Sequence, residues 1–215
     1  IFGFNTTVVL LILTTISIIM ATFIESATST ENARNLVYNA TWFEMILAFL
    51  TVNVTGSLFM HKSFQWKKIT VPLFHLSFVL IMIGAMFTRY TGVEGMIHIR
   101  EGAQSNVVAL ENNGGDKVLP FQIYLNDFEL ERYPGSNSPS SYSSIVTVQD
   151  EEKDNFFEYH IYMNHILKYR GWRFFQTSYD EDEKGTILTA TRDVIGTPLT
   201  YFGYFTTIVT LLLSL

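Results

Sequence analysis

One histidine, His75, lies inside an apolar run, Thr70 to Thr88 (TVPLFHLSFVLIMIGAMFT), that has no other ionisable side chain. As a helix the run is long enough to cross a bilayer. An imidazole at that depth is costly to bury and marks a functional site by default. The other reading is a neutral ring hydrogen-bonded to a neighbouring helix. On this run alone the two readings stand level.

The other candidates offer less. His98 alternates with Arg100 on the polar face of a strand, His160 alternates with Glu158 and Tyr162, and His165 follows Asn164 in a turn. His61 closes the second apolar block as an interfacial polar anchor. None has a partner at metal-ligand spacing. Glu44 and Asn53 lie within the second block and read first as hydrogen-bonding groups between helices, second as cavity lining. The chain has no G-x-S-x-G, no P-loop and no G-x-G-x-x-G.

The elements that hold these residues follow from composition. The chain is 48% hydrophobic and 16% charged, with positive mean hydropathy. Its apolar residues gather in four blocks: Thr6–Ile24, Phe43–Met60, Thr70–Thr88 and Pro198–Leu215. The first, third and fourth have no Asp, Glu, Lys or Arg, and the second has only Glu44. Each is about the length of a membrane span. The expected fold is therefore a multi-span α-helical membrane protein with an inserted all-β extracytoplasmic domain. Residues 1–90 hold three transmembrane helices (about 6–24, 43–60 and 70–88), 91–197 the β-rich domain and 198–215 a fourth transmembrane helix.

Basic residues set the orientation. Lys62, Lys67 and Lys68 lie between the second and third blocks, whereas the first loop has Arg34 against Glu25 and Glu31. The positive-inside rule puts the lysine loop and the N-terminus in the cytoplasm, and the large domain outside. The first block could also serve as a signal peptide, with MATFIESA as its cleavage zone, but its length favours a retained span. A chain that opens without Met and stops inside an apolar run is expected to be a piece of a longer polypeptide.

There are no cysteines. An outer domain of this size can hold together by packing alone, and thiol redox chemistry or Cys-ligated metal is excluded within this chain. Seven segments of the domain read as strands: Met96–Arg100, Asn106–Leu110, Phe121–Leu130, Tyr142–Gln149, Phe156–Met163, Trp172–Tyr179 and Thr186–Thr191. In Phe121–Leu130 the apolar phase shifts at Asn126-Asp127, which predicts a bulge. Turn signals such as Asn112-Asn113-Gly114-Gly115 separate the runs, so an antiparallel sandwich or barrel-like sheet is expected. From Arg89 to Thr197 there are seventeen acids and ten bases, a net of −7. That argues against nucleic acid and against docking on anionic lipid, and it permits a basic protein partner.

Four stretches carry a resemblance: VPLFHLSFVLIMIGAMFTRYTGVEG running into MIHIREG, then LPFQIYLNDFELERYPGSNSPSSYSSIVTV, then NHILKYRGWRFFQTSYD, then RDVIGTPLTYFGY. Together they make the chain similar to the ResB-like (CcsB-type) component of system II cytochrome c biogenesis, over nearly its whole length. The resemblance implies a multi-pass protein of the bacterial cytoplasmic (inner) membrane, in contact with membrane lipid and with its large domain on the periplasmic side. It implies a CcsA-type partner, separate or fused as in CcsBA-type synthases. Together the two carry haem b, as transported substrate, across the membrane and attach it to the C-x-x-C-H motif of apocytochrome c. His75 matches the family's third-span histidine, an axial ligand to the haem iron, and a neutral imidazole in an apolar pocket suits that role. Val79, Met82 and Met86 share its helix face and would wall the pocket, although lipid-facing packing explains them equally well. A second axial ligand is expected from the partner.

The family's tryptophan-rich haem-handling motif belongs to the CcsA-type half. Here Trp42, Trp66 and Trp172 are scattered, and no residue of the chain is assigned a catalytic role in haem attachment. The chain reads as the non-catalytic part of a holocytochrome c synthase (haem lyase), with the β domain's role open between apocytochrome docking and bracing the partner. Two rival classes remain: a membrane-bound b-type cytochrome subunit, whose haem needs two protein ligands, and a non-enzymatic membrane receptor or assembly factor in which His75 is structural.

Overall fold

The structure, a computed structural model, describes residues 2–60, 69–111 and 114–214. The lysine loop, with His61 and Trp66, and the Asn112-Asn113 part of the expected turn lie outside the described residues. The chain forms two units, one of helices (residues 1–89 and 195–215) and one of strands (residues 90–194).

Among the described residues five α-helices make the first unit: α1 (Phe4–Ala27), α2 (Thr30–Ala33), α3 (Thr41–Met60), α4 (Thr70–Thr91) and α5 (Gly196–Ser214). Hydroxyl groups are tolerated in α1 because Thr14, Ser17 and Thr22 bond back to the carbonyls of Leu10, Leu13 and Ile18. Ser29 caps α2 by accepting from the Asn32 amide, and the chain then widens into a π-helical turn, Arg34–Tyr38. Ala21, Val37 and Phe43 pack this turn between α1 and α3. Lower down, Leu50 and Val54 of α3 meet Val79 of α4. Pro72 sits in the first turn of α4, where its missing N–H has no intrahelical partner to lose.

Among the described residues three helices are long and apolar enough to cross a membrane: α1, α3 and α4. This corrects the expectation of four spans. The fourth block does form a helix, α5, but Thr197, Thr200, Thr206, Thr207, Thr210 and Ser214, with Pro198 and two glycines, dilute its apolar content.

The second unit is one antiparallel sheet of eight strands among the described residues: β1 (Val93–Arg100), β2 (Gln104–Leu110), β3 (Asp116–Arg132), β4 (Pro139–Asp150), β5 (Asn155–Ile161), β6 (Leu167–Tyr169), β7 (Trp172–Tyr179) and β8 (Gly185–Arg192). Their order is β5-β4-β3-β2-β1-β8-β7-β6. The sheet curls until its edges nearly close, with Tyr159 of β5 donating to the Ile166 carbonyl and Asn155 reaching the Tyr169 hydroxyl at 3.2 Å. Inward-facing residues of every strand form one core, among them Ile97, Val108, Ile123, Val146, Ile161, Leu167, Phe174 and Leu188. Across its interior Ser144, Gln176 and Thr186 form a closed hydrogen-bonded triangle, so these buried polar groups are satisfied.

The bulge lies where the phase shift placed it. Leu125 pairs with Val146 and Asp127 with Ile145, leaving Asn126 as the extra residue. Its side chain accepts from Thr147 and donates to Glu158. The eighth strand, β6, is three residues long, too short to show periodicity. It pairs with β7 across a two-residue turn, Arg170-Gly171, both with positive φ (48° and 80°). That is the conformation a tight hairpin demands, and it favours glycine at the second position.

Candidate functional site

His75 stands five residues into α4, roughly 8 Å from the end preceded by the lysine loop and about 24 Å from the other. Its ring is half-buried and meets Phe74 edge-on at 5.9 Å between centroids. Nδ1 lies 2.8 Å from the carbonyl oxygen of Val71, one turn earlier. A carbonyl can only accept, so Nδ1 carries the proton and donates. That tautomer leaves Nε2 with its lone pair. Nε2 has no hydrogen-bond partner among the described residues. The imidazole is thus tied through Nδ1 to its own helix, with Nε2 the ring nitrogen that faces away from that bond.

The residues that share its face divide. Val79 is buried against Leu50 and Val54 of α3, Met82 is half-buried, and Met86 is exposed. One side of the His75 face is therefore walled by α3.

On the far side of α4 a seam of small residues meets α5. Thr207 donates to the hydroxyl of Ser77 at 2.8 Å. A Cβ on Gly203 would stand 2.6 Å from a side-chain carbon of Ile81, and one on Gly84 would stand 2.8 Å from the backbone nitrogen of Thr200. This is the close approach that glycine and hydroxyl residues permit between helices in lipid. Asn53 does similar work between α1 and α3: buried, it donates to Thr7 at 2.7 Å and accepts from the Gly3 amide at 3.3 Å. Glu44 pairs with Arg89 at 3.3 Å, and the Arg89 guanidinium also donates to the carbonyls of Tyr38 and Asn39. Arg89 thereby ties the end of α4 to the π-helical turn and to the start of α3. Sequence reading missed the seam and this clasp. The small residues Ser77, Gly84 and Thr88, facing Gly196, Thr200 and Gly203, were the available signal for the seam.

The β unit holds its histidines otherwise. His98 bonds Asp180 at 2.9 Å beside Arg100, which also takes Asp180 and Asp182. The Arg100 hydrogen bond holds the Asp182 carboxyl below its usual range. His165 is stacked between Tyr159 and Tyr162, with centroids at 4.9 and 4.6 Å. His160 lies against Tyr162 on the exposed face. Asp150 is buried among Tyr169, Arg170 and the Lys153 amide. Burial pushes its carboxyl up, but these hydrogen bonds outweigh that and bring it below the usual range. Among the described residues no group of three or more His, Asp or Glu is placed to hold a metal ion. A shallow cleft of about 200 Å³ lies by Asn106, Gln122, Gln149 and Glu151.

A family model for the ResB-like family matches residues 62–202. The chain belongs to the ResB-like family. As a ResB-like protein it is 30% identical to Protein NrfI of Wolinella succinogenes, over 94% of this chain and 33% of that protein. The chain thus spans about a third of the length of the curated relative it matches. Among solved structures, Cytochrome c Heme Lyase CcmF aligns over 94% of the chain and 33% of its own length, with a TM-score of 0.43 and 10% identity. That likeness is too distant to carry an argument. The ResB-like match begins in the lysine loop and ends within α5, so it takes in His75, the β sheet and the first part of the seam.

Proposed function

We propose that this ResB-like chain serves cytochrome c biogenesis by binding haem within the membrane on its way to apocytochrome c. Haem is the substrate, and Nε2 of His75 is one axial ligand to its iron. The observation that supports this is the 2.8 Å hydrogen bond from Nδ1 to the Val71 carbonyl, which fixes the tautomer that iron needs. Leu50 and Val54 back Val79 on one side of the ring, and Met82 and Met86 extend the face towards the opposite end of α4. The second axial ligand, the remaining wall and the attachment chemistry come from a CcsA-type partner, separate or fused. The membrane is the bacterial cytoplasmic membrane, α1, α3 and α4 cross it, and the β unit is extracytoplasmic.

The test is His75→Ala in the complex purified with its partner. The span becomes more apolar, so insertion should persist, while haem per folded complex should fall. Unchanged haem content and spectra, with normal cytochrome c maturation, would make His75 structural.

A further inference from the structure

The two edges of the sheet are built differently. β6 is three residues long with Lys168 at its centre, two features that discourage pairing with another strand. β5 runs for seven residues in unbroken register with β4 and has no Lys or Pro. The ladder fixes which of its groups face the open side. Leu125 donates to the Ala103 carbonyl and accepts from the Gly102 amide, so its main chain is turned away from β4. Its partner Val146 is therefore turned towards β5, where it pairs with Tyr159. Phe157, Tyr159 and Ile161 thus bond β4, while Phe156, Glu158 and His160 aim their N–H and C=O groups at the open side. Tyr162 agrees, because it bonds His165 on that side, and His165 Nδ1 donates to the His160 carbonyl at 2.7 Å. Among the described residues the main-chain groups of Phe156 and Glu158 have no partner there. Beyond the Tyr162–His165 bridge, side chains and not a ladder span from β5 to β6, as in the Tyr159 bond to Ile166.

The side chains on that edge point to an occupant. Phe156 is 72% exposed, and Glu158 and His160 are exposed beside it. Glu158 is held in place. Asn126, the bulged residue, donates to it at 2.9 Å and accepts from Thr147, which lies opposite Glu158 in β4. A polar row thus crosses β3 and β4 and ends in a carboxylate at the open edge. We infer that this edge takes an extended basic segment of a partner polypeptide as a further strand. Main-chain bonds to Phe156, Glu158 and the His160 amide give affinity. A Lys or Arg beside Glu158 and an apolar side chain against Phe156 give selectivity. The net charge of −7 between Arg89 and Thr197 favours the same sign of partner. The inference rests on the ladder and not on the haem reading.

The probe is a fluorescent peptide alternating Lys and Val, added to the full-length protein in detergent. Its anisotropy should show binding severalfold tighter than that of a Glu–Val peptide, or of a Lys–Val peptide broken by a central Pro. Bound peptide should slow hydrogen exchange in Asn155–Ile161 severalfold and leave Gln104–Leu110 unchanged. Glu158→Lys should reverse the preference between the Lys–Val and Glu–Val peptides. Phe156→Pro removes one open-side N–H without breaking the β4 ladder, so it should weaken binding severalfold at an unchanged melting temperature. Equal affinity for the three peptides, or binding without protection of Asn155–Ile161, would overturn the inference. Protection of β5 that appears without peptide and rises with protein concentration would give the edge to a second copy of the chain, and overturns it too. Should either variant fail to fold, exchange in the parent with the three peptides decides.

Discussion

Thr207 donates its hydroxyl to Ser77 at 2.8 Å, and this bond lies on the side of α4 turned away from His75, two residues earlier. Two residues rotate a helix by about 200°. The α5 seam therefore grips the back of the helix whose front presents the imidazole, and it sets the roll of α4 without touching the ring. Thr207→Val should cost about 1 kcal/mol, read as a modest fall in melting temperature in detergent. Gly203→Leu should cost more, about 1–3 kcal/mol, because its side chain would enter the space of Ile81. Equal melting temperatures for Gly203→Leu and the parent would show that the seam does not form.

Replacing the imidazole by a thioether tests ligation more sharply than deleting it. In His75→Met, haem that is retained should have a higher reduction potential, since Met/His coordination favours ferrous iron relative to two imidazoles. A structural histidine predicts the parental potential for whatever haem the complex holds. Redox titration of the purified complex decides between them.

Sidedness is open to a direct measurement, because the chain has no cysteine of its own. Ser138 lies in the exposed β3–β4 turn, and Ser63 lies in the lysine loop outside the described residues. With single cysteines at these positions, an impermeant thiol reagent applied to intact cells should label position 138 and spare 63. The opposite pattern would invert the proposed orientation.

The acid limb of the β unit's stability should carry the mark of Asp150 and Asp182. Both titrate below the ordinary carboxylate value when folded: Asp182 chiefly through its hydrogen bond from Arg100, Asp150 because Tyr169, the Lys153 amide and Arg170 outweigh the opposing effect of burial. As pH falls, the unfolded chain therefore takes up these protons first. Their contribution is full above the ordinary carboxylate range and is lost as pH drops through about 4 towards the depressed values. Asp182→Asn should flatten that limb and lower neutral stability slightly, bringing it towards the acid value, because the contribution it removes is present at neutral pH. Asp150→Asn should lower stability at neutral pH as well, because it weakens the ion pair that holds Arg170 in its left-handed turn. A limb of unchanged slope in Asp182→Asn would show that this carboxylate titrates normally.

Much of this architecture was legible because each feature left a local trace. Hydropathy alone marks α1, α3 and α4, and the slip from Leu125 to Phe128 in the inward set marks the bulge at Asn126. The seven longer strands announce themselves by alternation, whereas β6 spans three residues and owes its existence to pairing with β7. The Arg89 clasp left no trace of that kind, since Glu44 and the Tyr38 carbonyl are distant in sequence and are joined to it only by folding. Within the site, the identity of His75 was visible in the run of residues that holds it. The tautomer was not, because it depends on where χ angles place Nδ1 relative to a carbonyl.

The sheet begins and ends at its middle: β1 and β8 are neighbours, paired from Val93 with Arg192 to Arg100 with Gly185. Their strand ends continue, through a few residues each, into α4 and α5, which pack along their own seam. In kinetic terms, pairing β1 with β8 in a free chain means closing a loop of roughly a hundred residues, an entropic barrier on the order of 4 kcal/mol. Once α4 and α5 have associated, most of that closure has been achieved by the helices. A fold with high contact order, which would otherwise form slowly, is thereby given a nucleation step that the helix pair supplies.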